Sequence, residues 1–363
     1  MDRDALQQKA AERLKLNKRL VCMWATGTGK SGVVLKFLKE NPTYRTLILV
    51  PETNNIENWI GEFDKFGVSM LNVEVICYAS LHKYINSQWD LLVIDEAPHS
   101  NTALKIEQLS TVSAEYVLAL GAVISEEELL TLERLYGKFV IWRIGLEMAI
   151  KNGILPPPII KVLHMNLDDT KKKFRLDGMA YTAKGMYDVL HSRVSAAVNE
   201  FNLRATQQNK MKMQRAGLMR KRFLGARKDE AIKTVCNRLD LSNKRYLCFC
   251  ASIKQAEALG KDHAFTSKTP KSMALLEKFN NHQIDSLFVV GKLIEGQSLV
   301  DIHCGVIGQL GNSNRITVQE LGRVFRSEHP VVYVPVFDNT KDEGFLYTVT
   351  NNIPAEYIKH YKF

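Results

Sequence analysis

What the sequence lacks narrows the field first. No apolar run approaches membrane-spanning length, and the longest candidates, such as Tyr116 to Ile124, are far too short. The six cysteines (Cys22, Cys77, Cys236, Cys248, Cys250, Cys304) show no metal-ligand spacing. Four of them lie in apolar, strand-like surroundings, where a reduced thiol behaves as a small hydrophobe. Cys248-x-Cys250 places two thiols on one strand face, which suits a core better than a ligand set. There is no low-complexity tract, no short repeat, and no nuclease, methyltransferase or zinc signature. The charged start Met1-Asp2-Arg3-Asp4 leads into an amphipathic helix and not a signal peptide. A reducing cytoplasm is the default expectation.

What is present suits a globular protein of two domains: 363 residues exceed a single core, and 45% are apolar. Lys plus Arg number 49 against 39 Asp plus Glu, a net charge of +10 that favours a polyanionic partner through salt-dependent phosphate contacts.

Two segments carry chemistry. Ala25-Thr26-Gly27-Thr28-Gly29-Lys30-Ser31 follows the apolar run Leu20 to Trp24 and precedes Gly32 to Phe37, the strand–loop–helix context of a phosphate-binding loop. Backbone N–H groups and the helix N-terminus would cradle phosphate oxygens, Lys30 would supply a point charge, and Ser31 would hold magnesium through its hydroxyl. The strict eight-residue pattern fails at Trp24, which replaces its first glycine. The second segment, Asp95-Glu96-Ala97-Pro98-His99, follows the apolar strand Trp89 to Ile94. Asp95 would orient magnesium, and Glu96 would accept a proton from an attacking water. Either segment alone has an ordinary reading, a flexible loop or a solvated acidic pair. Both together, in this order and each after a buried-type strand, point to nucleoside triphosphate hydrolysis.

The pattern along the chain predicts helix 5–16, strand 19–24, helix 30–39, strand 46–50, helix 54–66, and strands 73–78, 90–94 and 116–120. Such alternation builds a parallel sheet covered by helices, with ligands at the carboxyl ends of its strands. Residues 1–153 are expected to form this first domain, and the proline-rich stretch 154–160, after the glycine stop at Gly153, a stiff linker. Residues 161–363 are expected to form a second α/β domain, with strands at 246–250, 286–290, 304–308 and 331–337 and helices at 253–260, 271–280 and 317–325. Within it, about 192–240 reads as helical and markedly basic, a face equally suited to water and to nucleic acid. Arg220, Lys221 and Arg222 are its densest cluster. Gln319 to Arg326 begins a helix that puts Arg323 and Arg326 on one face, as arginine fingers or as plain surface.

The ordered motifs resemble the superfamily-2 helicases and translocases, the DEAD/DEAH group, over nearly the whole chain. Ala25 to Ser31 is similar to motif I, Leu47 to Pro51 with Trp59 to motif Ia, and Tyr78-Ala79-Ser80-Leu81 to the segment before motif II. Asp95 to His99 is similar to motif II, Leu118 to Val123 falls at motif III, and Tyr246 to Ser252 at motif IV. Leu293 to Leu299 is similar to motif V and Gln319 to Arg326 to motif VI. The resemblance implies two tandem RecA-like domains, ATP and Mg2+ as cofactors, and catalytic roles for Lys30, Asp95, Glu96, Gln319, Arg323 and Arg326. It implies nucleotide contacts by Gln7, the adenine reader, by Thr26 to Ser31 and by Gly296, and nucleic-acid contacts by Pro51, Ser252 and Glu295. DNA is the preferred track, because the region after motif II, the Gly-Ile-Leu-Pro linker and the Glu-Gly form of motif V look like bacterial and phage DNA helicases. This sets the expected location as a bacterial or phage-infected cytoplasm, with partner proteins from replication, recombination or repair and no membrane. An RNA helicase of the same superfamily and a nucleotide-gated clamp with little turnover are the alternatives; a nucleotide kinase would leave motifs V and VI unexplained. Three departures from the family pattern bear on coupling, and not on hydrolysis: Pro98 before His99, Gly121 and Val123 where motif III carries hydroxyls, and Ser298 where motif V carries Asp or Asn.

Overall fold

The computed structural model describes residues 2–269, 272–290, 299, 301–309, 324, 327–350 and 353–363. Glu295, Gly296, Ser298, Gln319, Arg323 and Arg326 lie outside the described residues, as does all but Val324 of the helix expected at 317–325. The described residues up to Pro157 form one compact unit, and those from Pro158 onward form a second.

The first unit runs α1 (Arg3–Asn17), β1 (Arg19–Trp24), α2 (Ser31–Glu40), β2 (Thr46–Val50), α3 (Thr53–Phe66), β3 (Val73–Cys77), β4 (Gln88–Ile94), α4 (Ala103–Leu109), β5 (Ser113–Gly121), α5 (Glu126–Tyr136), β6 (Val140–Ile144) and α6 (Leu146–Lys151). Its six strands pair in the order β3-β2-β4-β5-β1-β6, every pairing parallel. Parallel strands are covered on both faces, which is why β2 reads as an unbroken apolar run with all five residues buried. Because β4, β5 and β1 are consecutive in the sheet, the loops that follow them leave from neighbouring carboxyl ends. α3 is started by a capping box between Glu52 and Asn55 and ended by Gly67 in the left-handed conformation, at φ 62°.

The second unit runs β7 (Ile159–Met165), β8 (Phe174–Leu176), β9 (Met179–Tyr181), α7 (Ala183–Leu203), α8 (Gln207–Arg227), α9 (Asp229–Leu241), β10 (Tyr246–Phe249), α10 (Ile253–Gly260), β11 (Ala264–Phe265), α11 (Ser272–Asn280), β12 (Ser286–Val289), β13 (Cys304–Ile307), β14 (Val331–Phe337), α12 (Lys341–Thr350) and β15 (Ile358–Lys362). Its seven-stranded sheet is again wholly parallel, in the order β11-β12-β10-β13-β14-β7-β15, while β8 and β9 form a separate antiparallel pair. The α/β class expected from the alternation is therefore the one observed, twice over. The basic stretch is three helices, α7 to α9, of which α7 and α8 pack together. No helix among the described residues is long and apolar enough to cross a membrane.

Candidate nucleotide site

The loop after β1 is tied to a neighbouring strand and to itself. Ala25 N donates to Ile144 O at 2.8 Å, tying the loop's start to β6, and Thr28 Oγ1 donates back to Ala25 O at 2.7 Å. Gly27 and Gly29 take left-handed φ values of 87° and 81°, which a side chain would strain. Gly29 is also required by contact. Buried Gln7 on α1 donates from Nε2 to Gly29 O at 2.8 Å, and a Cβ on Gly29 would lie 2.5 Å from that nitrogen. Lys30 Nζ donates to Trp24 O at 3.2 Å, and α2 begins at Ser31, so the positive end of its dipole faces the loop. Thr26 Oγ1 is buried with no hydrogen-bond partner. A buried hydroxyl in that state fits a phosphate oxygen.

β4 delivers Asp95 and Glu96. Asp95 N donates to Leu49 O at 2.9 Å, Glu96 N donates to Asp95 Oδ1 at 3.0 Å, and Trp59 Nε1 donates to Asp95 Oδ2 at 3.0 Å. Burial, with the Glu96 charge adding, pushes the Asp95 carboxyl up to about 6; the Trp59 hydrogen bond and the Lys30 charge act against the rise. Lys30 is thus in electrostatic reach of Asp95. Glu96 itself sits at φ 46°, a left-handed conformation that disfavours any residue with a Cβ.

Three further side chains, Tyr78 from the segment before residue 95 and two that the sequence reading passed over, complete this region. Tyr78 OH donates to Asp95 O at 2.8 Å, and burial, helped by Asp95 and Glu96, pushes its phenol well above the ordinary value, so it stays a donor. Lys105 on α4 donates to His99 O at 2.8 Å and lies 4.9 Å from the centre of the Tyr78 ring. Glu62 on α3 accepts from Ser31 Oγ, Oε2 at 3.1 Å. The usable signal was the spacing Trp59-x-x-Glu62, which puts both on one helix face.

Of the remaining predicted residues, Pro51 follows the carboxyl end of β2, beside β4 in the sheet. In the second unit, Ser252 caps α10 by accepting from Gln255 N at 3.2 Å, and α8 carries Arg220, Lys221 and Arg222. Arg220 is committed within the unit, donating from Nη1 to His191 Nδ1 at 2.8 Å, whereas Arg222 is exposed.

The oxygen donors here, the Ser31 hydroxyl and the Asp95 carboxylate, suit a hard divalent cation. Magnesium is commonly held by one or two carboxylates together with phosphates and water. Among the described residues no group of three or more His, Cys, Asp or Glu is arranged to hold a metal by itself.

The class of fold follows from the two wholly parallel sheets with their strand-end loops: two tandem RecA-like α/β units. No family model matches the sequence, and no curated protein matches it. Among solved structures, the chain is similar to the Pyrococcus furiosus Hef helicase domain, with 12% identity, TM-score 0.56, and 94% of this chain covering 97% of that one. It is also similar to the ATP-dependent Type ISP restriction-modification enzyme LlaBIII bound to DNA, with 14% identity and TM-score 0.60. There all of this chain aligns with 31% of the larger enzyme. At such identities the likeness is one of fold.

Proposed function

We propose that the chain is an ATP- and magnesium-dependent DNA helicase or translocase of superfamily 2. The observation that carries this reading is the pairing of a phosphate loop with the Asp95–Glu96 pair in one sheet, Lys30 acting electrostatically on Asp95. In this reading the loop amides, Thr26 and Lys30 bind the phosphates, with Gln7 bracing the loop and Gly296 adding a contact. Ser31 and Asp95 would hold magnesium, which when bound neutralises charge on the β- and γ-phosphates. Glu96 accepts a proton from the water that attacks the γ-phosphorus, the bond to the bridging oxygen breaks, and ADP and phosphate leave. Gln319, Arg323 and Arg326 would keep the catalytic roles that the sequence resemblance gives them, and we divide the chain near the prolines at 156–158. Pro51, Ser252, Glu295 and Arg222 would line the nucleic-acid path. DNA is favoured over RNA because the LlaBIII structure of similar fold is described as bound to DNA.

One observation favours a second reading, a nucleotide-gated clamp: motif III presents Gly121 against Ile124 and Pro98 in place of hydroxyls. Steady-state ATP hydrolysis with magnesium separates the two, measured alone and with single-stranded DNA, duplex DNA or RNA, beside Lys30→Ala and Glu96→Gln. The motor reading expects stimulation by DNA that both substitutions abolish. Tight DNA binding with negligible turnover under every condition would leave the clamp.

A further inference from the structure

α3 reaches into the candidate magnesium centre at two points. Trp59 and Glu62 stand three residues apart on one face of that helix. Trp59, only 4% exposed, donates its indole N–H to Asp95 Oδ2 at 3.0 Å. Glu62 accepts the Ser31 hydroxyl hydrogen at 3.1 Å. These partners, Asp95 and Ser31, are the two side chains assigned to magnesium, and they come from different elements, the end of β4 and the start of α2. A single helix therefore grips both.

The chemistry of each contact suits a ligand-orienting role. A serine hydroxyl that gives its hydrogen to a carboxylate keeps its lone pairs for a cation. The Asp95 carboxylate is held through both oxygens, by Trp59 on Oδ2 and by the Glu96 amide on Oδ1, and each oxygen retains a further lone pair. Phenylalanine keeps an aromatic ring at that position but carries no N–H, so it removes the donor while retaining much of the packing.

Resting on the nucleotide-site reading above, we propose that Trp59 and Glu62 are the positioning residues of the magnesium centre, fixing Asp95 and Ser31 in the geometry that the cation requires. Neither touches the nucleotide. Their effect falls on the magnesium-dependent part of binding, because the loop amides and Lys30 hold phosphates without them.

The test is the magnesium dependence of binding of a fluorescent ADP analogue to the full chain, set against its binding in EDTA. Removing an outer hydrogen-bond partner of a metal ligand typically weakens metal affinity about 10–100-fold. Trp59→Phe and Glu62→Ala are expected to raise the half-saturating magnesium concentration about tenfold or more, leaving analogue binding in EDTA unchanged. Glu62→Gln, which keeps an acceptor oxygen, is expected to recover most of the loss. Thermal melts matching the parent protein establish that the variants fold. Half-saturation within about twofold of the parent in both Trp59→Phe and Glu62→Ala would overturn the proposal, measured against that expected range. Equal loss with and without magnesium would also overturn it, assigning α3 to the scaffold of the loop. A parent protein that binds the analogue in neither condition defeats the nucleotide-site reading itself, and this proposal with it.

Discussion

Pro98 and Gly121 are neighbours: a Cβ added to Gly121 would lie 3.6 Å from Pro98 Cδ, and only 3.0 Å from Ile124 Cγ1. Two of the departures from the family pattern, one after β4 and one at the end of β5, thus meet in a single apolar contact. Gly121 is not among the left-handed glycines, so its backbone tolerates a side chain and the obstacle is contact alone. Restoring a hydroxyl with Gly121→Ser is expected to cost about 1–3 kcal/mol by overpacking. Ile124→Val, which trims the crowding side chain, should relieve part of that cost. A double-mutant cycle in denaturant measures the relief; additivity within about 0.5 kcal/mol would refute the contact.

Glu96 holds a left-handed backbone at φ 46° directly after Asp95, whose carboxyl its charge helps to raise. Strain at an acidic residue of this kind sets stability against function. Glu96→Gly is therefore expected to raise stability by about 0.5–1 kcal/mol, the left-handed penalty less the extra freedom of the unfolded chain. The same change removes the proposed base and should lower ATP turnover about 100-fold or more. Equilibrium unfolding and steady-state hydrolysis on one preparation check both signs. A destabilised variant would mean that the surroundings, and not the residue, favour this backbone.

Strands β1 and β2 are legible in the sequence to the residue, because a buried parallel strand is an apolar run between polar turns. The loop Ala25 to Ser31 and the Asp95–Glu96 pair stand out in the sequence for the same reason, each following such a run. β6 and β15 escape this reading. Both are edge strands, on β1 and β7 respectively; β6 is mostly half-buried and broken by the exposed Arg143, and β15 is mostly exposed, so Val140-Ile141-Trp142-Arg143-Ile144 and Ile358-Lys359-His360-Tyr361-Lys362 lack a continuous apolar signature. Only pairing with a distant strand defines them. Glu62 is hidden for a related reason. Its spacing from Trp59 is visible, but its partner Ser31 lies 31 residues away, and nothing local announces the contact. Tyr78 and Lys105 are likewise positioned by the packing of the turn after β3 and of α4 around residues 95–99, which is a tertiary outcome.

In the second unit, Lys228 and Asp342 are both fully buried and form an ion pair at 2.8 Å. Lys228 lies between α8 and α9, and Asp342 is in the first turn of α12, so the pair joins the base of the basic helices to the end of β14. Phe337 N also donates to Asp342 Oδ2, at 3.3 Å. Removing one partner leaves an uncompensated buried charge, and Lys228→Met is expected to cost about 3–5 kcal/mol. Lys228→Met with Asp342→Leu should recover most of that loss, since a packed apolar pair often equals a buried ion pair. Urea unfolding of the parent and the two variants decides; a double variant no more stable than the single one would show that the Phe337 amide contact, not the ion pair, holds the junction.

Arg220 and Arg222 are two residues apart on α8 yet have different surroundings. Arg220 is half-buried and donates to His191, and burial together with the Arg220 and Lys341 charges lowers the His191 imidazole below its ordinary value. Arg222 is exposed. Phosphate neutralisation by one arginine contributes about one to the slope of log binding constant against log salt. Arg222→Ala is therefore expected to reduce that slope by about one on single-stranded DNA, with the fold unchanged. Arg220→Ala should leave the slope alone and lower thermal stability, because it strips a contact between α7 and α8. The measurement is DNA affinity across a salt series, alongside melting curves of both variants. An unchanged slope in Arg222→Ala would assign the exposed face of α8 to solvent and place the nucleic-acid path elsewhere on the chain.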